Sequence, residues 1–305
     1  MKKIQHYINC CKKLVNMPYN QLNLDNYNDV ITKILDIPLI SIETSSKSPI
    51  RLMSGQHKES KIVCTKNITS KKPRIILIGK GILFDAGGYD LKSKMNDMKN
   101  DMAGMASVLS INGFLQNTSI NNVQSVCPVA TNFIHNNQII PGDIIKIGKY
   151  NVEITDTDAE GRLVLAEVLS SFKFRPNDII VTVATLTGVV GYAIGDKATG
   201  IFSPNDELIK LYLEASKKTK ELAWRLPLWD YLQDKFKGQN IKNWEKTRPG
   251  ATMGAMFIKQ FVPNPNNWIH LDIAYSAWNE EKNLATGEPI KTLIEFIKKL
   301  NKRKK

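Results

Sequence analysis

Apolar residues along the chain keep two different rhythms. Ile75-Ile76-Leu77-Ile78 is a short continuous apolar run that stops at Gly79, the pattern of a buried strand. Residues 125–130, 144–147 and 152–155 are further strand candidates, and Pro141-Gly142-Asp143 closes the loop between two of them. Residues 179–185 are β-branched and apolar, as a central strand covered on both faces requires. Elsewhere the spacing becomes helical. Residues 104–114 place Val108, Leu109 and Ile111 on one side, and residues 161–172 repeat Leu165, Ala166 and Leu169. Residues 205–218 and 290–300 are amphipathic helices. The stretch up to Lys72 mixes short helical and strand-like patterns. Strands and helices alternate, which predicts an α/β fold with a mixed, mostly parallel central sheet and helices on both faces. No repeat or long linker divides the 305 residues, so residues 1–305 read as one domain.

An apolar fraction of 42% is enough for a sizeable core. No apolar run reaches bilayer-spanning length, and the start Met1-Lys2-Lys3-Ile4-Gln5-His6-Tyr7 lacks the apolar centre of a signal peptide. The expectation is a cytoplasmic protein with no membrane partner. Cys10, Cys11, Cys64 and Cys127 have neither zinc-finger nor redox spacing and read as reduced, buried thiols. Asn67-Ile68-Thr69 and Asn117-Thr118-Ser119 match the glycosylation pattern, which carries no meaning without secretion. The net charge of +13 raises the question of a nucleic-acid partner. Yet only seven of the 42 cationic residues are arginine, the side chain that phosphate and groove readers favour. A dispersed lysine surface is the expectation, with residues 301–305 as a basic tail.

Carboxylates, lysines and glycines concentrate in three segments at strand ends. These are the run from Gly79 to Gly88 followed by Leu91-Lys92, then Met98-Lys99-Asn100-Asp101-Met102-Ala103-Gly104, then Asp156-Thr157-Asp158-Ala159-Glu160-Gly161-Arg162-Leu163. Open α/β sheets place ligands beyond the carboxyl ends of their strands. The first segment is not a phosphate loop, because no Gly stands five positions before Gly79-Lys80 and no Ser or Thr follows Lys80. His6, His57, His135 and His270 lack the paired spacing of helical zinc sites, and no nucleophilic serine elbow is present. His270 sits among apolar residues and reads as a satisfied core histidine. What remains is carboxylate chemistry. Asp85, Asp101, Asp158 and Glu160 would repel one another if they converged, and two divalent cations roughly 3.5–4 Å apart would neutralise them.

Taken together, the three segments resemble the metal-binding core of the leucyl aminopeptidase family, the cytosol aminopeptidases of peptidase family M17. Further similar stretches follow in order, among them Leu14-Val15-Asn16-Met17-Pro18, Ala184-Thr185-Leu186-Thr187-Gly188, Arg225-Leu226-Pro227-Leu228, His270-Leu271-Asp272-Ile273-Ala274 and Ala285-Thr286-Gly287-Glu288-Pro289. The resemblance runs from about residue 12 to 300. It implies a two-metal site at the carboxyl ends of the strands. Lys80, Asp85, Asp101 and Glu160 would hold one ion, and Asp85, Asp158 and Glu160 the other, helped by the Asp158 carbonyl. The ions implied are Mn²⁺ or Zn²⁺, with Mg²⁺ as a further candidate. Lys80 would have to bind as a neutral amine. Lys92 would stabilise an oxyanion, and Arg162 would hold a bicarbonate ion acting as general base toward the metal-bridging water. Met98, Thr185, Leu186, Gly188, Ala274 and Ala277 would line the pocket for the first side chain, with Ala277 widening its floor.

The function so implied is removal of an N-terminal residue, preferably Leu or another apolar one, from peptides with a free amine. A dipeptidase of Cys-Gly type and, in a different class, a DNA-binding scaffold with secondary catalysis are the alternatives. The family further implies a homo-oligomer, a hexamer, and because the resemblance starts near residue 12 the expectation is that its separate N-terminal domain is absent. Three stretches depart from the family pattern. Asp156 stands where the signature has Asn, Thr131-Asn132-Phe133 replaces Glu-Asn-Met, and Pro249-Gly250-Ala251-Thr252-Met253-Gly254-Ala255 replaces an Ala-Gly-Thr/Ala-Ile-Thr-Ala-Ala run.

Overall fold

A computed structural model describes residues 2–66, 68, 70 and 72–302. Asn67 and Thr69 of the first glycosylation motif and the tail residues Arg303, Lys304 and Lys305 lie outside the described residues. The mixed patterns of the first segment resolve into two regular helices, α1 (Lys2–Asn16) and α2 (Tyr27–Leu35). The buried stripe of α1 is Ile8, Cys11, Leu14 and Val15. A cysteine supplies one rung of it, which is why a count of aliphatic residues understates the helix. β1 (Ile40–Ile42), α3 (Pro49–Met53) and β2 (Ile62–Cys64) follow.

The next segment builds the sheet centre. β3 (Ile75–Gly79) and β4 (Gly81–Asp85) lie in line along one long strand, β5 (Val123–Asn132), both parallel to it. Lys80 is the break between them. α4 (Ala103–Leu115) carries the chain back from β4 to β5. Then come β6 (Ile144–Ile147), β7 (Tyr150–Glu153), α5 (Glu160–Ser171), β8 (Ile179–Ala184), α6 (Val190–Ile194), β9 (Thr199–Phe202), α7 (Asp206–Thr219) and β10 (Ala223–Arg225). β11 (Asn240–Lys242), α8 (Gly250–Lys259), β12 (Trp268–Asp272), the pair β13 (Trp278–Asn279) and β14 (Leu284–Ala285), and α9 (Ile290–Lys302) complete the chain.

The main sheet runs β1-β2-β5-β3-β8-β12-β9-β10, with β4 paired to β5 beyond β3. β5, β3, β8 and β12 are parallel, while β2 and β9 join that block antiparallel. The expected mixed, mostly parallel α/β sheet is what forms. Side chains alternate across it as strand geometry demands. Ile75, Leu77, Val181 and Leu271 face the core shared with α1, α4, α7 and α9; Ile76, Ile78 and Ile180 face the one shared with α3, α5 and α8. β7 pairs with β6 and β11 in a separate three-stranded sheet, two residues earlier than the expected 152–155. The four cysteines are free and buried. Among the described residues no helix is long and apolar enough to cross a membrane.

His270 lies in β12 with no exposure, stacked near Phe202 and Trp268. Its Nδ1 is 2.9 Å from Thr182 Oγ1, but Nε2 has no partner among the described residues. The core position was expected; full hydrogen bonding was not reached. Burial pushes its pKa down to about 3, so the ring is neutral.

From β3 and β4 the chain reaches β5 on one side of β3 through α4, and from β5 it recrosses through α5 to β8 on the other side. That reversal of direction opens a crevice at the carboxyl ends of β3 and β8. It depends on a close approach. A Cβ on Gly104 would lie 2.2 Å from the Val183 carbonyl oxygen, and one on Gly79 would lie 2.5 Å from the Gly104 oxygen. Gly104→Ala should therefore lower stability by about 1–3 kcal/mol, the usual cost of overpacking. Urea unfolding measures it, and an unchanged midpoint would contradict this contact.

Candidate metal centre and substrate cavity

Lys80 is placed by its backbone. Its N–H donates to the Val183 carbonyl at 3.0 Å, and its own carbonyl accepts from Met105 N at 2.8 Å, so β8 and the start of α4 both hold it. The side chain is buried. Its ammonium lies 2.7 Å from Asp101 Oδ1 and 2.7 Å from Glu160 Oε1, and donates to the Thr185 carbonyl at 2.9 Å. Room for it exists because residue 161 is glycine: a Cβ there would stand 2.7 Å from Lys80 Nζ.

The carboxylates come from three segments of the chain. Asp85 ends β4, where its Oδ1 accepts from Gly87 N at 2.9 Å and Asn132 Nδ2 at 2.8 Å. Asp101 sits in a 3₁₀ turn, Met98–Met102, and also accepts from Thr185 Oγ1 at 2.7 Å. Asp158 lies in the turn before α5, and Glu160 is the first residue of that helix, where the dipole favours negative charge. Lys92 Nζ is 2.9 Å from Asp85 Oδ2 and also pairs with Asp158. One oxygen each of Asp85, Asp101 and Glu160 falls within 4.8 Å of the others, a spacing at which three carboxylates can share one cation. Asp101 Oδ2 and Glu160 Oε2 are buried with no hydrogen-bond partner among the described residues. Buried acceptors left over in this way fit a cation.

The electrostatics reflect crowding. Burial pushes Asp158 up to about 7, reinforced by Glu160 and Asp85. Glu160 is raised by burial and then by Asp85; Asp101 is raised by burial although Lys80 opposes it. Burial works against both ammonium groups, but the surrounding carboxylates outweigh it and raise Lys80 and Lys92.

These groups line a cavity of about 220 Å³. Lys80, Asp85, Lys92, Asp101, Asp158 and Glu160 converge there, as do Met98, Thr185, Leu186, Gly188 and Ala274. Two expected residues are absent from its wall. Ala277 is buried in the core cluster that holds Ile273 and Trp278, so it does not form the floor. Arg162 is buried away from this wall and donates to the Asn243 carbonyl at 2.8 Å. It has no ion pair among the described residues, and its Nε has no partner. Burial pushes it down to about 10, against the attraction of Glu160, Asp156 and Asp272.

Sequence reasoning missed Asp97, Asn100, Thr187, Tyr275, Trp278 and Glu280 on the cavity wall. It also gave no role to Asp272, which is buried and accepts from Thr187 Oγ1 at 2.6 Å and from Leu186 N and Ala274 N at 3.2 Å. An acid at a strand's carboxyl end in an apolar run was the available signal. Asp156, the residue at the signature's Asn position, accepts from Asp158 N at 2.8 Å and so shapes the turn without joining the cavity wall.

The structure is a mostly parallel α/β sheet with a buried lysine–carboxylate cluster at its strand ends, three of whose acids could hold a cation. Residues 9–294 match the catalytic domain of the cytosol aminopeptidase family, and the chain belongs to that family. It is 38% identical to the chloroplastic leucine aminopeptidase A1 of Solanum lycopersicum, over 77% of this chain and 43% of that protein. A probable cytosol aminopeptidase of Colwellia psychrerythraea is 36% identical over 95% of this chain and 62% of its own length. The chain thus spans about half the length of the curated relatives it matches. Among solved structures, the bottromycin maturation enzyme BotP in complex with Mn is similar with a TM-score of 0.88 at 28% identity. That match covers 98% of this chain and 71% of BotP.

Cation binding should stabilise the fold, by about 2.7 kcal/mol at roughly 100 times the dissociation constant. The raised acids also set a sign with pH. Asp158 holds its proton more tightly folded than unfolded, so its contribution to stability is present at low pH and is lost as pH rises through about 7. A cation favours the ionised carboxylates and opposes that loss. Thermal melts in EDTA and in Mn²⁺, at about pH 5.5 and about pH 8, should show the larger Mn²⁺ shift at the higher pH. An equal shift at both would argue against a carboxylate origin.

Proposed function

We propose that this chain is a metal-dependent aminopeptidase that hydrolyses the first peptide bond of substrates with a free N-terminus, preferring Leu or another apolar first residue. The single observation that carries this reading is the pair of buried, unpartnered carboxylate oxygens on Asp101 and Glu160, set beside Lys80 at the base of a cavity. Lys80, Asp85, Asp101 and Glu160 would hold one divalent cation, and Asp85, Asp158 and Glu160 a second. Mn²⁺ and Zn²⁺ suit that set of oxygen donors and one amine, and Mg²⁺ remains a further candidate. When bound, such a pair supplies Lewis acidity to a water and to the scissile carbonyl, and an anchor for the substrate's α-amine.

The chain's own groups do the rest. Lys80 is the most constrained of them, because burial favours its neutral amine and the carboxylates hold it charged. Positive charge on those carboxylates would remove their hold and leave the amine lone pair free. Lys92 stays charged at the cavity wall and offers its ammonium to the carbonyl oxygen as negative charge develops there. Arg162 is a buried guanidinium whose Nε has no partner among the described residues, which suits a small oxyanion such as bicarbonate in the role of general base. Met98, Leu186, Gly188 and Ala274 are uncharged, and the further charges on the cavity wall, Asp97 and Glu280, are acidic and would repel an acidic first side chain. A homo-oligomer, a hexamer as in the family, is part of the same reading. Tyr192, Trp224, Trp229 and Tyr231 are large exposed aromatics that an assembly would cover, and sedimentation as a monomer would refute it.

Lys92→Met should lower kcat by roughly 10²–10³-fold while bound metal is retained, since an oxyanion partner acts in the transition state. Parallel loss of metal and rate would make Lys92 structural instead. Leu and Met reporters should be cleaved with higher kcat/KM than Glu or Asp reporters, because a charged side chain would lose water without finding a partner. Efficient cleavage of the Glu reporter would sink the apolar preference.

A further inference from the structure

The loop that carries Asp85 and the turn that carries Asp158 meet at the end of β5, joined directly by Thr157 with Gly87 and Asp90 and also through the fully buried side chain of Asn132. Asn132 is the last residue of that strand. Its carbonyl accepts from Ala86 N at 2.9 Å and Gly88 N at 3.3 Å. Its Nδ2 donates to Asp85 Oδ1 at 2.8 Å and to the Thr157 carbonyl at 3.0 Å. The other end of the amide faces Gln138, whose Nε2 donates to Asn132 Oδ1 at 2.9 Å. Gln138 is itself oriented, because its Oε1 accepts from His135 N at 3.1 Å.

The chain of donors fixes a direction. A flipped Asn132 would set its oxygen against Asp85 Oδ1 and the Thr157 carbonyl, three acceptors together, and turn its NH₂ toward the NH₂ of Gln138. Only the observed orientation satisfies every group. The backbone closes over the pair at Gly88, where a Cβ would stand 2.9 Å from both Asn132 Oδ1 and Gln138 Nε2. With Oδ1 of Asp85 occupied by Gly87 N and Asn132, the oxygen left facing Lys92 and the cavity is Oδ2.

We infer that Asn132, oriented by Gln138, is a positioning residue that selects which oxygen of Asp85 is offered to a cation and locks the Asp158 turn in register with it. The inference rests on the metal-dependent reading above. Groups that orient metal-binding side chains typically account for 10–100-fold in affinity. Gln138→Glu keeps the shape of residue 138 and its bond to His135 N, but presents an acceptor where a donor stood. It forces the amide to turn. Gln138→Met removes the donor without imposing the turn, since Asp85 and the Thr157 carbonyl still call for the NH₂.

Mn²⁺ binding to the full chain, read by equilibrium dialysis together with the melting temperature, tests this. Asn132→Ala and Gln138→Glu should each weaken Mn²⁺ binding by about 10–100-fold, and Gln138→Met by less than about 3-fold. If Asn132→Ala does not fold, the contrast between Glu and Met at position 138 decides alone. Equal Mn²⁺ affinity in Gln138→Glu and the parent, or equal losses in the Glu and Met variants, would overturn the orienting role and leave a packing role only. Absence of Mn²⁺ binding by the parent chain would overturn the metal reading itself, and this inference with it.

Discussion

Everything in this molecule is arranged around keeping like charges close together. Asp85, Asp101, Asp158 and Glu160 point into one small space, three of them fully withdrawn from water. Burial and mutual repulsion both oppose such a cluster. Two lysines hold it, each paired with two carboxylates, Lys80 with Asp101 and Glu160 and Lys92 with Asp85 and Asp158. The remaining unpartnered oxygens are the capacity that this pairing leaves unused. A centre of this kind is held under electrostatic load, and positive charge from outside relieves it.

The fold supplies the confinement. Parallel strands bring several carboxyl ends to one edge, and the reversal of chain direction at β3 opens space between them. α4 and β8 approach closely enough that only glycine fits at residues 79 and 104. α5 begins at Glu160, so the helix end favours the charge that burial disfavours. Asp272 at the end of β12 ties down Leu186 and Thr187, and with them the wall of the cavity.

Much of this was legible in the sequence because it is written locally. β3 is an unbroken apolar run up to Gly79, β8 is β-branched and mostly apolar, and the Asp156–Leu163 stretch places three acids and a glycine in eight residues. Other parts were not local. β12 reads Trp-Ile-His-Leu-Asp, and a histidine at its centre hides a strand whose ring lies between two aromatics. α8 begins with Gly250 and contains Gly254, so it resembles a loop until Phe257 and Ile258 pack. Asp97, Tyr275 and Glu280 reach the cavity only through tertiary placement, and no periodicity marks them. Ala277 sits one residue from Trp278, which does line the wall, and a one-residue offset was enough to send it into the core. Arg162 is buried and off the cavity wall, a matter of side-chain direction that spacing does not encode.

The break between β3 and β4 has a mechanical meaning. At Lys80 the backbone leaves the ladder it shares with β5 and bonds instead to Val183 and Met105, so the sheet and the root of a helix grip the same peptide unit. The ammonium at the end of that side chain therefore inherits the stiffness of the hydrophobic core and not the looseness of a surface loop. A lysine is ordinarily the least anchored of side chains. Here it is mounted like a bearing in its housing, and wear anywhere in that housing is felt first at the charge it carries.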